Sequence, residues 1–293
     1  MISDSTTNYL YLSDKLKEKR YSKFLEGFEK LLKEEGVHFD YLEKTNDIWC
    51  RDFMPIQVNE KKYVQFKYEP YYLRKTEHLK TDPKKVIETL RFESEVIFSE
   101  IILDGGNVVK SENRVIITDQ IVKENKGKDL KKELIPELRK LFEIEHIIIV
   151  PHLPYDWTGH ADGIVRFVDN ETVLINDYSK TRQSESWQKK FKRVLDENKL
   201  NCITIPYLEE ERKNDEGVTP ATGCYMNYLE INNKIFLPKF NISEDSSAVK
   251  IFNESLERKI IPVENCEIVA ERGGVLNCIT WNIKTREKNN NVP

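Results

Sequence analysis

KDLKKELIPELRKLFEIEHIIIVP, residues 128–151, reads as a charged amphipathic helix over 128–142, followed within a few residues by the strand-like run His146–Pro151. Helical apolar spacing gives way to a short continuous apolar run, the change that separates a surface helix from a largely buried strand. The same pair recurs along the chain. Helices are expected near 14–35, 82–91, 184–198 and 244–257, followed by runs at Val37–Phe39, Glu95–Phe98, Cys202–Pro206 and Lys259–Val263. The first helix carries Leu16, Phe24, Phe28, Leu31 and Leu32 as a one-sided stripe. The interval is roughly 45–65 residues, within the range of repeat architectures. Further strands are expected at Tyr63–Tyr68, Val115–Thr118, Gly163–Val168, Val173–Asn176, Tyr225–Ile231, Lys234–Leu237 and Cys278–Ile283. This alternation indicates an α/β fold. Either five helix-backed β units surround a central axis, or the sheet is open and doubly wound. Both arrangements put functional residues at strand ends and on the loops beside them.

Composition narrows the function. Of 293 residues, 39% are hydrophobic and 33% charged, ample for one large core. No Gly/Ser-rich or Pro-rich linker interrupts the chain, so residues 1–293 are expected to form a single domain, with 284–293 a polar, frayed tail. Lys and Arg number 46 against 50 Asp and Glu, a net charge of −4. That balance gives no general attraction to nucleic acid or to an anionic membrane. The N-terminus lacks the basic start and apolar stretch of a signal peptide. The five cysteines show no metal-type pairing, which points to reduced thiols and a cytoplasmic setting.

Four segments place reactive residues inside apolar or Gly-flanked runs. In Asp47–Pro55, Asp52 beside Trp49 and Phe53 suits a flat cation, by charge at its edge and aromatic contact at its face. An Arg51–Asp52 ion pair or a turn is the structural alternative. In Ile101–Val109, Asp104-Gly105-Gly106-Asn107 is either an ordinary hairpin turn or a close backbone approach to a ligand. In Trp157–Gly163, strand period would put His160 and Asp162 on one face, as a proton-transfer group beside a carboxylate. A metal-ligand pair or a core hydrogen bond would use the same residues, although five histidines without a second cluster disfavour a metal centre. In Glu271–Thr280, a Gly-Gly turn leads to Cys278, either a small core residue or a reactive thiol. Cys50, Cys202, Cys224 and Cys266 read as packing residues.

At these segments the sequence resembles the guanidine-modifying enzyme superfamily, and within it the agmatine deiminase and bacterial peptidylarginine deiminase branch. The resemblance rests on WCRDFMP (49–55), LDGGN (103–107), GHADGIVRF (159–167), GCYMNYLEINNKIFLPKF (223–240) and GGVLNCIT (273–280), in that order. It implies a five-bladed ββαβ propeller and hydrolysis of a guanidinium group through a Cys thiouronium, with no cofactor and no metal. Cys278 would be the nucleophile and His160 the acid and base. Asp104 would orient His160, while Asp52 and Asp162 would grip the guanidinium nitrogens. Trp49, Trp157 and Asp156 are further candidates to line the site, and Arg166 or Arg272 could hold a substrate carboxylate. The implied partner is a small-molecule guanidine, and family likeness suggests a homodimer. Asp104 stands where agmatine deiminases usually carry Glu, and Asn277 where they tend to carry His before the nucleophile. An amidinotransferase, or a silent propeller that binds arginine-like ligands, would use the same positions.

Overall fold

A computed structural model describes residues 1–90 and 94–285. Among them lie five three-stranded sheets of one pattern, each a ββαβ unit. The second comprises β3 (Ile56–Asn59), β4 (Lys62–Lys67), α2 (Pro83–Ile87) and β5 (Glu95–Ile102). The third comprises β6 (Val109–Lys110), β7 (Arg114–Thr118), α3 (Ile135–Phe142) and β8 (His146–Val150). The fourth comprises β9 (Val165–Phe167), β10 (Thr172–Asn176), α4 (Glu185–Glu197) and β11 (Asn201–Ile205). The fifth comprises β12 (Leu229–Ile231), β13 (Lys234–Pro238), α5 (Glu244–Ser255) and β14 (Lys259–Val263). The first is assembled from both ends of the chain. Its β1 (Tyr9–Ser13), α1 (Ser22–Glu34) and β2 (His38–Leu42) are joined by β15 (Thr280–Ile283), antiparallel to β1. In every blade the first two strands are antiparallel, and the helix carries the chain over to a third, parallel strand.

The repeat anticipated from the sequence is therefore a five-bladed α/β propeller, and the open doubly wound sheet is excluded. Local chemistry explains the elements. In α4 the hydroxyl of Ser184 caps the Trp187 amide at 3.2 Å, and Trp187, Phe191 and Leu195 fall four apart on the buried face. Each such buried side chain contributes about 2 kcal/mol. Between β12 and β13, Asn232 and Asn233 both adopt positive φ, 53° and 55°, the backbone of a two-residue hairpin turn. The expected helix over 82–91 is shorter, ending at Ile87, and its last residue, Arg91, lies outside the described residues, as does most of the expected frayed tail.

Burial distinguishes the strands. The first strands β9, β12 and β15 are buried at every position, whereas the last strands β2, β8, β11 and β14 begin exposed. The first strands thus surround the axis and the last ones face outward. Just before each first strand, two to four residues upstream, stands a buried Asp or Asn: Asp52, Asn107, Asp162, Asn227 or Asn277. The five links between blades bring these positions to one end of the axis.

Candidate active site

Each link contributes through its own backbone. Cys50–Phe53 is a single helical turn, and it sends Arg51 and Asp52 to different partners. Arg51 donates through its side chain to Asn282 Oδ1 and to the Asn277 carbonyl, while Asp52 Oδ1 accepts the Gly106 amide at 3.0 Å. The two residues are not paired with each other. The Asp104 link is not a hairpin. It joins β5 of one blade to β6 of the next through a 3-10 turn at Gly105–Asn107. Its glycines serve close approach: a Cβ on Gly105 would lie 2.0 Å from the Arg51 carbonyl, and one on Gly106 would lie 2.5 Å from Asp52 Oδ1 and 2.6 Å from His160 Nδ1.

His160 and Asp162 sit on a turn, because the Ile164 and Val165 amides both bond back to the Ala161 carbonyl. The expected strand from Gly163 begins only at Val165, so the shared face comes from the turn rather than from pleat. Cys278 likewise precedes its strand. The Ile279 amide reaches the Val275 carbonyl, and β15 starts at Thr280.

Two groups of side chains result. In one, His160 stands between carboxylates, with Nε2 3.0 Å from Asp104 Oδ2 and Nδ1 3.6 Å from Asp52 Oδ1. In the other, Asp162 Oδ2 accepts Asn277 Nδ2 at 2.6 Å and Asn227 Nδ2 at 3.2 Å, and lies 3.6 Å from Cys278 Sγ. Asn227 Nδ2 also points at Cys278 Sγ, at 3.1 Å, while its Oδ1 accepts the amides of Val275 and Cys278. A donor aimed at sulfur favours the thiolate. Asn227 and Asn277 were not among the sequence candidates as site residues.

Electrostatics join the groups. Burial pushes the Asp52 carboxyl up; His160 opposes the shift, and Asp104 and Asp162 add to it. Burial alone would lower the His160 imidazolium, but Asp52, Asp104 and Asp162 together raise it. Burial, then Asp162 and Asp52, hold the Cys278 thiol well above its usual range. The site is short of positive charge.

Trp49, Asp52, Asp156, Trp157, His160, Asp162 and Cys278 line a cavity of about 130 Å³, and Asp104 stands behind His160. Cys224, read as a packing residue, also lines it, its thiol pushed up to about 12 by burial and by Asp162. Arg166 lies elsewhere, bonded to Asp4 and to the Tyr228 carbonyl. Arg272 reaches the rim but pairs with Glu216 at 3.0 Å, and Arg182 pairs there with Glu209 at 3.0 Å. Neither argininium at the mouth is left unpaired.

A five-bladed propeller with cysteine, histidine and aspartates gathered at one end of its axis is a pentein. The chain belongs to the Porphyromonas-type peptidyl-arginine deiminase family, which it matches over residues 2–283. Among curated proteins it is similar to an agmatine deiminase of Stutzerimonas stutzeri, 28% identical over 61% of this chain and 56% of that enzyme. The match thus spans little more than half of that relative's length. Among solved structures it is similar to the agmatine deiminase of C. jejuni, at 20% identity and TM-score 0.78, over 97% of this chain and 96% of that one. A cysteine-to-serine mutant of the Pseudomonas aeruginosa DDAH, complexed with citrulline, shares the fold at 12% identity and TM-score 0.58, over 94% of this chain and 99% of that one.

Proposed function

We propose that this chain hydrolyses the guanidinium group of a small arginine-derived cation, agmatine first among them, to a ureido product and ammonia. The observation that carries this reading is the charge imbalance of the pocket. Asp52, Asp104 and Asp162 converge there, and among the described residues His160 is the one basic side chain ion-paired to the first two. A guanidinium supplies the missing charge and offers N–H groups in the plane that carboxylates match. Its entry beside Asp52 and Asp162 offsets the two carboxylates that hold the Cys278 thiol protonated, and so favours the thiolate where the substrate carbon lies.

In this reading the bound guanidinium's charge drives the Cys278 thiol proton out to solvent, and the thiolate attacks the guanidinium carbon. His160 gives its proton to the departing nitrogen, the C–N bond breaks, and ammonia leaves an S-alkylthiouronium. Neutral His160 then takes a proton from water as the oxygen attacks. The C–S bond breaks, the remaining proton of the attacking water passes to the departing Cys278 sulfur, and the ureido product leaves with Cys278 and His160 both protonated again. Asn227 supports the developing thiolate at each stage. The substrate preference follows from the rim: with Arg182 and Arg272 paired, no free cation among the described residues that line the pocket awaits a substrate carboxylate. That favours agmatine over free arginine.

The test is incubation with agmatine, free arginine and an arginine-containing peptide, assayed for ureido product and ammonia, with Cys278→Ala as control. Agmatine turnover that is lost in the variant supports the reading. Failure on all three by the folded protein removes it, and an amidino group passed to an added amine without ammonia would replace hydrolysis by transfer.

A further inference from the structure

Tyr72 belongs to no segment that forms the pocket's motifs. It sits in the turn Tyr71–Leu73 between β4 and α2 and reaches the pocket from the side. Its hydroxyl donates to Asp104 Oδ2 at 2.8 Å, the same oxygen that faces His160 Nε2 at 3.0 Å. Asp104 Oδ1 is buried and has no hydrogen-bond partner among the described residues. The carboxylate is therefore held by two donors that share one oxygen. The Tyr72 ring is fixed as well, lying edge-on to Trp157 at 4.8 Å and to His160 at 6.1 Å between centroids. Its neighbour Tyr71 donates to the Trp157 carbonyl.

We propose that Tyr72 is a positioning residue for the proposed reaction: its hydroxyl aims Asp104 at His160 and takes up part of that carboxylate's charge. This rests on the reading of His160 as the proton donor. An imidazolium held by an unshared buried carboxylate surrenders its proton reluctantly. A second donor on the same oxygen lowers the carboxylate's pull and makes His160 a stronger acid toward departing ammonia. The other groups facing His160 are Asp52 and Asp162, and those facing Asp104 include Asp47, Glu124 and Tyr68. The Tyr68 hydroxyl faces Tyr72 and makes no hydrogen bond to Asp104, and Asp47 and Glu124 face it only through charge, so among the described residues Tyr72 is the hydroxyl that donates to Asp104. Burial, then Asp104, keep the phenol proton in place well beyond the usual tyrosine range.

The test uses Tyr72→Phe, which keeps the ring, and 3-fluorotyrosine at position 72, which strengthens the donor. His160 is titrated by ring NMR in the Cys278→Ala background, and kcat and KM for agmatine are measured against pH in the active protein. In Tyr72→Phe the His160 midpoint is expected to rise by roughly half to one pH unit, with kcat about tenfold lower and KM within about twofold. The fluorinated residue should move the midpoint down. A midpoint that stays put in both proteins overturns the proposal, whatever happens to kcat, because a space-filling tyrosine would behave that way. Shifted midpoints in a protein that turns over no guanidine would support the Tyr72–Asp104–His160 coupling while removing the deiminase reading.

Discussion

The strands that leave the pocket end at a second polar cavity, of about 220 Å³, and the two ends handle buried charge in opposite ways. Three or four residues beyond Asn107, Asp162 and Asn227 stand Lys110, Arg166 and Glu230, all lining the second cavity. There Asp4 takes both Lys110 and Arg166, and Glu230 takes Arg258 at 2.6 Å. The Asp4 carboxyl is held far below its ordinary range: burial opposes the shift, and Lys110, Arg51 and Arg166 overcome it. At the pocket, burial and neighbouring carboxylates push Asp52 the other way. Paired charge at one end holds blades together. Carboxylates in excess over cations at the other end cost stability that a cationic ligand can return.

Asp52→Asn should separate the two costs most sharply. It removes a carboxylate from the proposed guanidinium grip, and kcat/KM is expected to fall by about 10³-fold. It should also stabilise the protein. A carboxyl whose folded pKa is raised disfavours folding progressively as pH climbs from about 4 through the folded value, so the gain should be absent at low pH and clear at pH 8. Calorimetry giving equal or lower Tm at pH 8 would break the contrast. Asp4→Ala should do the reverse, losing about 3 kcal/mol by leaving Lys110 and Arg166 unpaired while turnover by the folded protein changes little. Because its folded pKa is depressed, the stabilisation Asp4 gives is present above about pH 4 and lost as pH falls further, so the mutant's deficit in denaturant should shrink in acid.

Smaller effects sharpen the local geometry. A Cβ on Gly274 would meet the Trp49 ring at 2.7 Å and Cys278 Cβ at 3.0 Å, so Gly274→Ala should lower kcat/KM about tenfold with a near-normal melting curve. Cys224→Ala should change turnover less than about twofold. Its sulfur lines the pocket beside the Gly163 carbonyl, at 3.8 Å, and the backbone amides of Met226 and Asn227, so thiol alkylation that spares Cys278 and attacks Cys224 would contradict the assignment.

The helix-and-strand repeat was legible because apolar spacing changes visibly at Phe142–His146 and at its four counterparts. The strand starts before the site were not. At Ala161–Val165 and Val275–Thr280 the backbone bonds to itself, and side-chain pattern carries no sign of that. Asp104-Gly105-Gly106 looks the same whether the glycines make a hairpin or admit Asp52 and His160. Asn227 and Tyr72 were harder still. Neutral or aromatic residues abound in the chain, and these two gain meaning only when folding brings them to Cys278 and Asp104 across 51 and 32 residues. Arg51 next to Asp52 suggested an ion pair that the helical turn at Cys50–Phe53 prevents.

The most direct measurement is mass analysis of the protein acid-quenched during agmatine turnover, with the modified peptide sequenced. An amidino adduct on Cys278 is expected, formed and lost at rates that match ammonia and ureido product. Turnover with Cys278 unmodified throughout, or surviving in Cys278→Ala, would contradict it.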